Sequence, residues 1–309
     1  MRRVLGASCA HRRTSLVLLA FAACGSHDGS GSPGTQQYTF TMASFQVPPN
    51  AELYECQDIP NPFGKDIAIV ETESTMSPGA HHMFAFQIDS TDATFAPDGG
   101  PSQASDCPQE GFEFHPYFHL TQLPHDSIHY PQGVGRSLKG SEAIRLMVHY
   151  LNTSPSPMQV DAQVTVNYVN AGAVEQLAAG IFVYGGSLQV PTGVSTQAFS
   201  YALPVDMKFI QFAGHMHSRG TSFEAHATSK ANGEVRPLYS SDTWDEPAQL
   251  EFAPPLEMKA GDALGYSCSY DNRTGMALSY GNSAATNEMC NFFGVFYPAA
   301  NGDDVVGTL

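Results

Sequence analysis

Two histidines stand two residues apart in GHMHSRG (214–220), within a stretch that otherwise reads as a β-strand. Side chains at i and i+2 leave the same face of a strand, so His215 and His217 can reach one ion while Met216 points away. Imidazole suits several metals, so the pair by itself does not choose among them. Met289, beside Cys290 in NEMCNFF, narrows the choice. A thioether is a soft, neutral ligand that favours Cu(I), imidazole serves both copper oxidation states, and zinc has little use for methionine. If Met289 completes the His215/His217 set, the ion is copper.

The chain has twelve histidines beside fourteen lysines and arginines, so the others need weighing too. PGAHHMFAF places His81 and His82 side by side at the start of a strand. Neighbours on a regular strand face opposite ways, so joint ligation requires the entry after Pro78-Gly79 to rotate one of them. His149 lies in the apolar strand LMVHYLN, where a lone histidine reads first as a core residue. HPYFHLTQLPHDSIHY carries His115, His119, His125 and His129, but Pro116 and Pro124 interrupt it and it reads as a loop with no shared metal site. His226 reads as structural.

These residues must be positioned by strands. Short runs rich in Val, Phe, Tyr and Thr recur from YTFTMASFQV to FFGVFY with partial period-two alternation, separated by turn residues. No stretch sustains a 3.6-residue period. With 28 Gly, 21 Pro and only 14% charged residues, the chain is expected to be all-β, built as sandwiches. NAGAVEQLAAG (170–180) interrupts the strands and marks the candidate boundary between two domains. A net charge of −16 argues against nucleic acid as a partner, because phosphate binding needs clustered Lys and Arg.

Arg2, Arg3, Arg12 and Arg13 precede the short apolar run SLVLLAFAAC, which reads as an export signal over residues 1–24. FAAC followed by a Gly/Ser/Pro-rich stretch resembles a bacterial lipobox, with Cys24 as the lipidated residue and Phe21 where that motif prefers Leu; the alternative is an ordinary signal peptide cleaved nearby. Residues 25–36 read as a flexible tether. The expected location is the periplasm or cell surface, with the membrane touched only through the lipid anchor. Cys56, Cys107, Cys268 and Cys290 remain in the mature chain, and in an oxidising compartment they read as two disulfides with three possible connectivities. The wide gap between the pairs favours Cys56–Cys107 and Cys268–Cys290.

HHM, PQGVG, LMVHY, GHMHSRG and NEMCN, in that order and at these separations, resemble the copper type II, ascorbate-dependent monooxygenases, the family of peptidylglycine α-hydroxylating and dopamine β-monooxygenases. The similarity runs from about residue 38 to 299. It implies two tandem jelly-roll-like antiparallel β-sandwich domains, 37–172 and 173–309, each holding one copper toward a solvent-filled cleft. His81, His82 and His149 match the family's all-histidine electron-transfer site, and His215, His217 and Met289 match its oxygen-binding site. The two cysteine pairs favoured above fit family bridges. The implied reaction is C–H hydroxylation of a small organic substrate with O2 and an external one-electron reductant such as ascorbate.

Substrate contacts depart from the family pattern. Asn291 and Tyr54 match, but Ala213 stands where the peptidylglycine enzyme has a carboxylate-binding arginine, and Phe293 where it has a tyrosine. A peptide carboxylate would then lack a charged partner, so a neutral or apolar substrate is expected, unless Arg219 substitutes. Two further readings use the same residues. One is a non-catalytic copper-binding or copper-relay lipoprotein. The other is an adhesion or carbohydrate-binding sandwich whose histidines are incidental.

Overall fold

The strand Met158–Asn170 shows in miniature how this sequence folds. Val160, Ala162, Val164 and Val166 are buried while the alternating Gln159, Asp161, Gln163 and Thr165 face outward, the pattern of a sheet with one wet face. The strands Ala80–Asp89, Met207–Met216 and Cys290–Tyr297 are buried on both faces for nearly their whole length. They carry His81, His82 and His215 and lead directly to His217 and Met289.

The computed structural model describes residues 34–91, 95–97, 99–101, 107 and 115–309. The expected export signal, Cys24 and most of the tether lie outside the described residues. Among the described residues there is no α-helix, only a 3-10 turn at Ala171–Ala173, and the chain is all-β as its alternation predicts.

The largest sheet runs, along its main path, through Gln36–Val47, Met158–Asn170, Ile67–Met76, Val134–Leu138, Gln176–Tyr184, Cys290–Tyr297, Met207–Met216 and Leu250–Met258. It passes from the first half of the chain to the second where Val134–Leu138 pairs in parallel with Gln176–Tyr184. A four-stranded sheet of Ala51–Ile59, Glu142–Asn152, Ala80–Asp89 and Tyr117–Thr121 belongs to the first half. Another, of Gly193–Ala202, Ala263–Asn272, Gly220–Thr228 and Val235–Ser241, belongs to the second. One apolar core is drawn from the first half alone, and a larger one packs Phe84, Phe86 and Met147 against Phe182, Phe212 and Phe292 of the second. Disulfides join Cys56 to Cys107 and Cys268 to Cys290.

A buried ion pair fastens the chain's end to both halves. Arg136 donates from Nη1 to Asp304 at 2.6 Å and to the Gly302 carbonyl at 2.8 Å, and from Nε to Gln87 at 2.9 Å. Asp304 also accepts the backbone N–H groups of Gly180 and Tyr117. Removing one partner of such a pair leaves a buried charge uncompensated, so Asp304→Ala should lower stability by about 3–5 kcal/mol. Urea unfolding measures this; a loss below 1 kcal/mol would mean that Arg136 finds water in the variant.

The segment 115–129 is not the loop expected from its prolines. Tyr117–Thr121 and His125–His129 are strands, and Pro116 and Pro124 each sit immediately before one of them, a position where a missing N–H costs no ladder bond. Its histidines do not converge. His119 is buried between the Thr72 and Ser74 hydroxyls, each at 2.8 Å, whereas His125 and His129 are exposed.

Candidate metal centre

Three neighbouring strands set up one half of the centre. Tyr54, His149 and His82 are direct cross-strand partners, forming a row on one face of the sheet. His81 joins the row because the pairing slips between Ala80 and His82, where His82 opposes His149 and Ala80 opposes Tyr150. This bulge rotates one histidine toward its neighbour's face. The turn before it needs Gly79, whose φ of +90° suits glycine and whose Cβ would lie 2.6 Å from Met158 Cε.

The other half comes from the strand Met207–Met216, on which His215 opposes Asn291, and from the turn just past it, which carries His217. Gly220 closes that turn by donating to the His217 carbonyl. The buried Glu288 side chain holds the turn in place, accepting the backbone N–H groups of His217 and Arg219 at 3.1 and 2.9 Å. Burial pushes the Glu288 carboxyl up to about 7 against these hydrogen bonds. Met289 follows directly and is buried, with its carbonyl held by the Tyr270 hydroxyl.

The two sets meet. Ring centroids of His81 lie 5.1 Å from His82 and His149, 4.8 Å from His215 and 5.5 Å from His217. Ligand atoms of His81, His82 and His215 all lie within 4.8 Å of one another. The two histidine sets are therefore in contact: the five imidazoles form one buried cluster. The packing of the two four-stranded and ten-stranded layers decides this, and no single segment carries it.

Three of the five rings, those of His149, His215 and His217, are oriented by their other nitrogen. His149 Nε2 donates to Glu52 Oε1 at 2.9 Å, leaving Nδ1 free. His215 Nδ1 donates to Gln122 Oε1 at 2.5 Å, and Gln122 is itself fixed by donating to the Gly214 carbonyl at 2.9 Å. His217 Nδ1 faces the Asn287 carbonyl at 3.4 Å. The tautomers follow from these partners. What remains is six buried ring nitrogens without a hydrogen-bond partner: both of His81, Nδ1 of His82 and His149, and Nε2 of His215 and His217. Buried polar atoms are normally satisfied, so six converging orphans fit a metal that accepts their lone pairs.

Electrostatics keep those lone pairs available. Burial, reinforced by repulsion among the rings, holds His81, His82 and His215 well below the ordinary histidine range and brings His217 to about 3. Burial also lowers His149, although Glu52 pulls it the other way. For Glu52 burial raises the carboxyl, but hydrogen bonds from His149, the Ala284 N–H and Ser283 prevail and hold it at about 2. The pair is thus a carboxylate accepting from a neutral imidazole.

A cavity open to solvent adjoins the cluster. His82, His215 and Met289 border it, so the sulfur-bearing residue and two of the imidazoles share one space. Phe84, Leu120, Met147, Phe182 and Phe293 make its apolar wall, and the amides of Gln122, Asn282 and Asn291 are its uncharged polar groups. Asn291 donates to Met289 Sδ at 3.3 Å, while its Oδ1 is buried without a partner. Of the expected substrate contacts, Tyr54, Asn291 and Phe293 line the cavity and Ala213 does not. Arg219 does not line it either; its guanidinium is engaged by the carbonyls of Ala284 and Ala285.

Sequence reasoning missed Glu52, Gln122, Asn287, Glu288 and Trp244, whose ring lies 5.5 Å from that of His81. Glu52 had a signal, since it stands two residues before Tyr54 on the same strand face.

Residues 189–304 match the family model described as the copper type II ascorbate-dependent monooxygenase, C-terminal domain. Tyramine beta-hydroxylase of Caenorhabditis briggsae is 24% identical over 283 residues, covering 82% of this chain and 47% of that protein. Putative DBH-like monooxygenase protein 2 of Homo sapiens is 22% identical over 304 residues, covering 86% and 57%. The chain thus spans about half the length of the curated relatives it matches. Among solved structures, PNGase F, a glycosylasparaginase from Flavobacterium meningosepticum, aligns over 88% of this chain and 98% of its own at 8% identity, with a TM-score of 0.36, too weak to carry over fold or chemistry.

Proposed function

We propose that this member of the copper type II ascorbate-dependent monooxygenase family hydroxylates a C–H bond of a small, neutral, largely apolar substrate, using O2 and an external one-electron reductant such as ascorbate. The observation that carries the reading is the set of six unpartnered ring nitrogens beside an apolar cavity that Met289 also lines. In this reading two copper ions per chain use one nitrogen of each ring and the Met289 sulfur, one ion held by His81, His82 and His149, the other by His215, His217 and Met289. Bound copper would supply one-electron redox chemistry and an open position for O2.

The chain's own residues do the rest. Glu52, Gln122 and the Asn287 carbonyl fix which nitrogen of His149, His215 and His217 faces the centre. Phe84, Phe182 and Phe293 keep water from the reacting region and offer a surface to an apolar substrate. The unpartnered Oδ1 of Asn291 can accept one hydrogen bond from a substrate hydroxyl or N–H and so orient it. Neither an anionic nor a cationic substrate group would find a partner, because among the described residues no Lys, Arg, Asp or Glu borders the cavity and its histidines are neutral. A ligand carrying a free carboxylate should therefore bind on the order of a hundredfold more weakly than its neutral amide or phenyl counterpart.

Copper reconstitution with metal analysis tests the centre, and Trp244, the chain's one tryptophan, should report loading by loss of fluorescence. Ascorbate-driven O2 consumption that rises with a neutral aromatic probe is the expected result. Copper binding with no substrate-stimulated consumption would instead support the copper-relay reading, and no copper at all would overturn both. Equal binding of carboxylate and neutral probes would remove the substrate assignment alone.

A further inference from the structure

Glu52 touches both halves of the centre at once. On the first-half side its Oε1 accepts from His149 Nε2 at 2.9 Å. On the second-half side the same carboxylate accepts the Ala284 N–H at 2.6 Å through Oε1 and the Ser283 hydroxyl at 2.9 Å through Oε2. Tyr54, two residues along the same strand, repeats the arrangement. Its ring stacks on His149 with centroids 3.9 Å apart and planes 14° from parallel, and its hydroxyl donates to the Asn282 carbonyl at 2.6 Å.

The segment so gripped, residues 282–284, forms part of the cavity wall through Asn282 and leads through Asn287 and Glu288 into Met289. Its other attachments are to the turn after His217: Ser218 Oγ donates to the Ala284 carbonyl at 3.2 Å, and Arg219 reaches the carbonyls of Ala284 and Ala285. No regular ladder holds residues 281–287. Side-chain bonds help seat this segment, and Glu52 and Tyr54 supply bonds from the first half.

We infer that Glu52 is a positioning residue that ties the orientation of the His149 ring to the seating of the 282–288 segment over the cavity. The carboxylate offers a single point through which the two events are linked: when the segment lifts, Glu52 loses two of its three donors and its hold on His149 loosens. The reverse also follows, because linkage between two sites is reciprocal. Admission of a substrate past Asn282 is thereby coupled to the set of a ring on the opposite side of the centre. The inference rests on the proposed function only in naming His149 and Met289 as ligands; the clasp is a property of the metal-free chain.

The test accordingly uses metal-free full-length protein. Hydrogen exchange of the peptide spanning 281–289 should be roughly ten- to a hundredfold faster in Glu52→Ala than in the parent, since hydrogen bonds to a charged acceptor are lost. Nitrogen-15 shifts of the His149 ring should move from one fixed tautomer toward an average of two. Ser283→Ala removes a single hydroxyl that bonds the other oxygen of the carboxylate and leaves the carboxylate in place; it should produce a smaller change of the same kind in both readouts. If Glu52→Ala does not fold, Ser283→Ala and Glu52→Gln carry the test. Faster exchange with an unchanged His149 signature would overturn the coupling, and unchanged exchange would overturn the clasp. Either result would leave copper loading and O2 consumption, measured separately, to judge the function.

Discussion

Met289→Leu should leave the fold intact and lower substrate-stimulated O2 consumption by roughly a hundredfold or more, the scale set by losing a ligand rather than a group behind one. Leucine matches methionine closely in volume, and such swaps in a packed site cost less than about 1.5 kcal/mol. Met289 is buried beside Asn291, which donates to its sulfur, so the variant removes a soft donor and leaves one amide N–H unpaired. The cysteine that follows is tied to Cys268, which keeps the local backbone in place. Cu(I) affinity, read by competition with a coloured chelator, should fall, and the sulfur shell in X-ray absorption should vanish. Imidazole donors remain, so Cu(II) binding should change far less. Full activity in this variant, or an unaltered absorption spectrum, would detach Met289 from the centre and with it the choice of copper.

How much of this was legible beforehand depends on the range of the interaction that fixes it. Alternation along Met158–Asn170 is a local property, and it read correctly as strand. The joint facing of His81 and His82 was visible only as a requirement, because the bulge that meets it is a feature of register against Glu142–Asn152 and not of either strand alone. Pro116 and Pro124 misled because a proline before a strand and a proline within one look alike in a sequence. The meeting of the two histidine sets had no local signature at all, since it depends on how sheets from both halves pack. Gln122 was hidden for the same reason: its role comes from Gly214, 92 positions away.

Acidifying the metal-free protein should unfold it between about pH 6 and pH 4, and copper should move that transition lower. His81, His82 and His215 sit well below 6.5 in the folded chain, and His217 and His119 sit at about 3. Below 6.5 the unfolded chain therefore takes up protons that these buried rings refuse, so stability falls as pH falls, by about 1.4 kcal/mol per pH unit for each ring. Asp126 and Glu288 act in the opposite sense, because burial raises them to about 6 and about 7 and the folded chain binds their protons first. With His149 lowered as well, the rings outnumber the two raised carboxyls, so the net effect between pH 6 and 4.5 is a loss of stability as pH falls. A domain has only about 5–15 kcal/mol to lose. Copper binds the unprotonated rings of the folded state alone, and so adds stability by mass action and delays the loss. His119 separates this account from simple ligand protonation. It is no candidate ligand: it hydrogen-bonds the Thr72 and Ser74 hydroxyls, with the Asp126 carboxyl 3.9 Å away, and burial lowers it. His119→Gln keeps a donor and an acceptor there without the titration, and should lower the acid midpoint measured by circular dichroism. A metal-free protein with the same urea midpoint at pH 7 and pH 4.5 would mean that these rings are solvated, and the buried cluster would have to be abandoned.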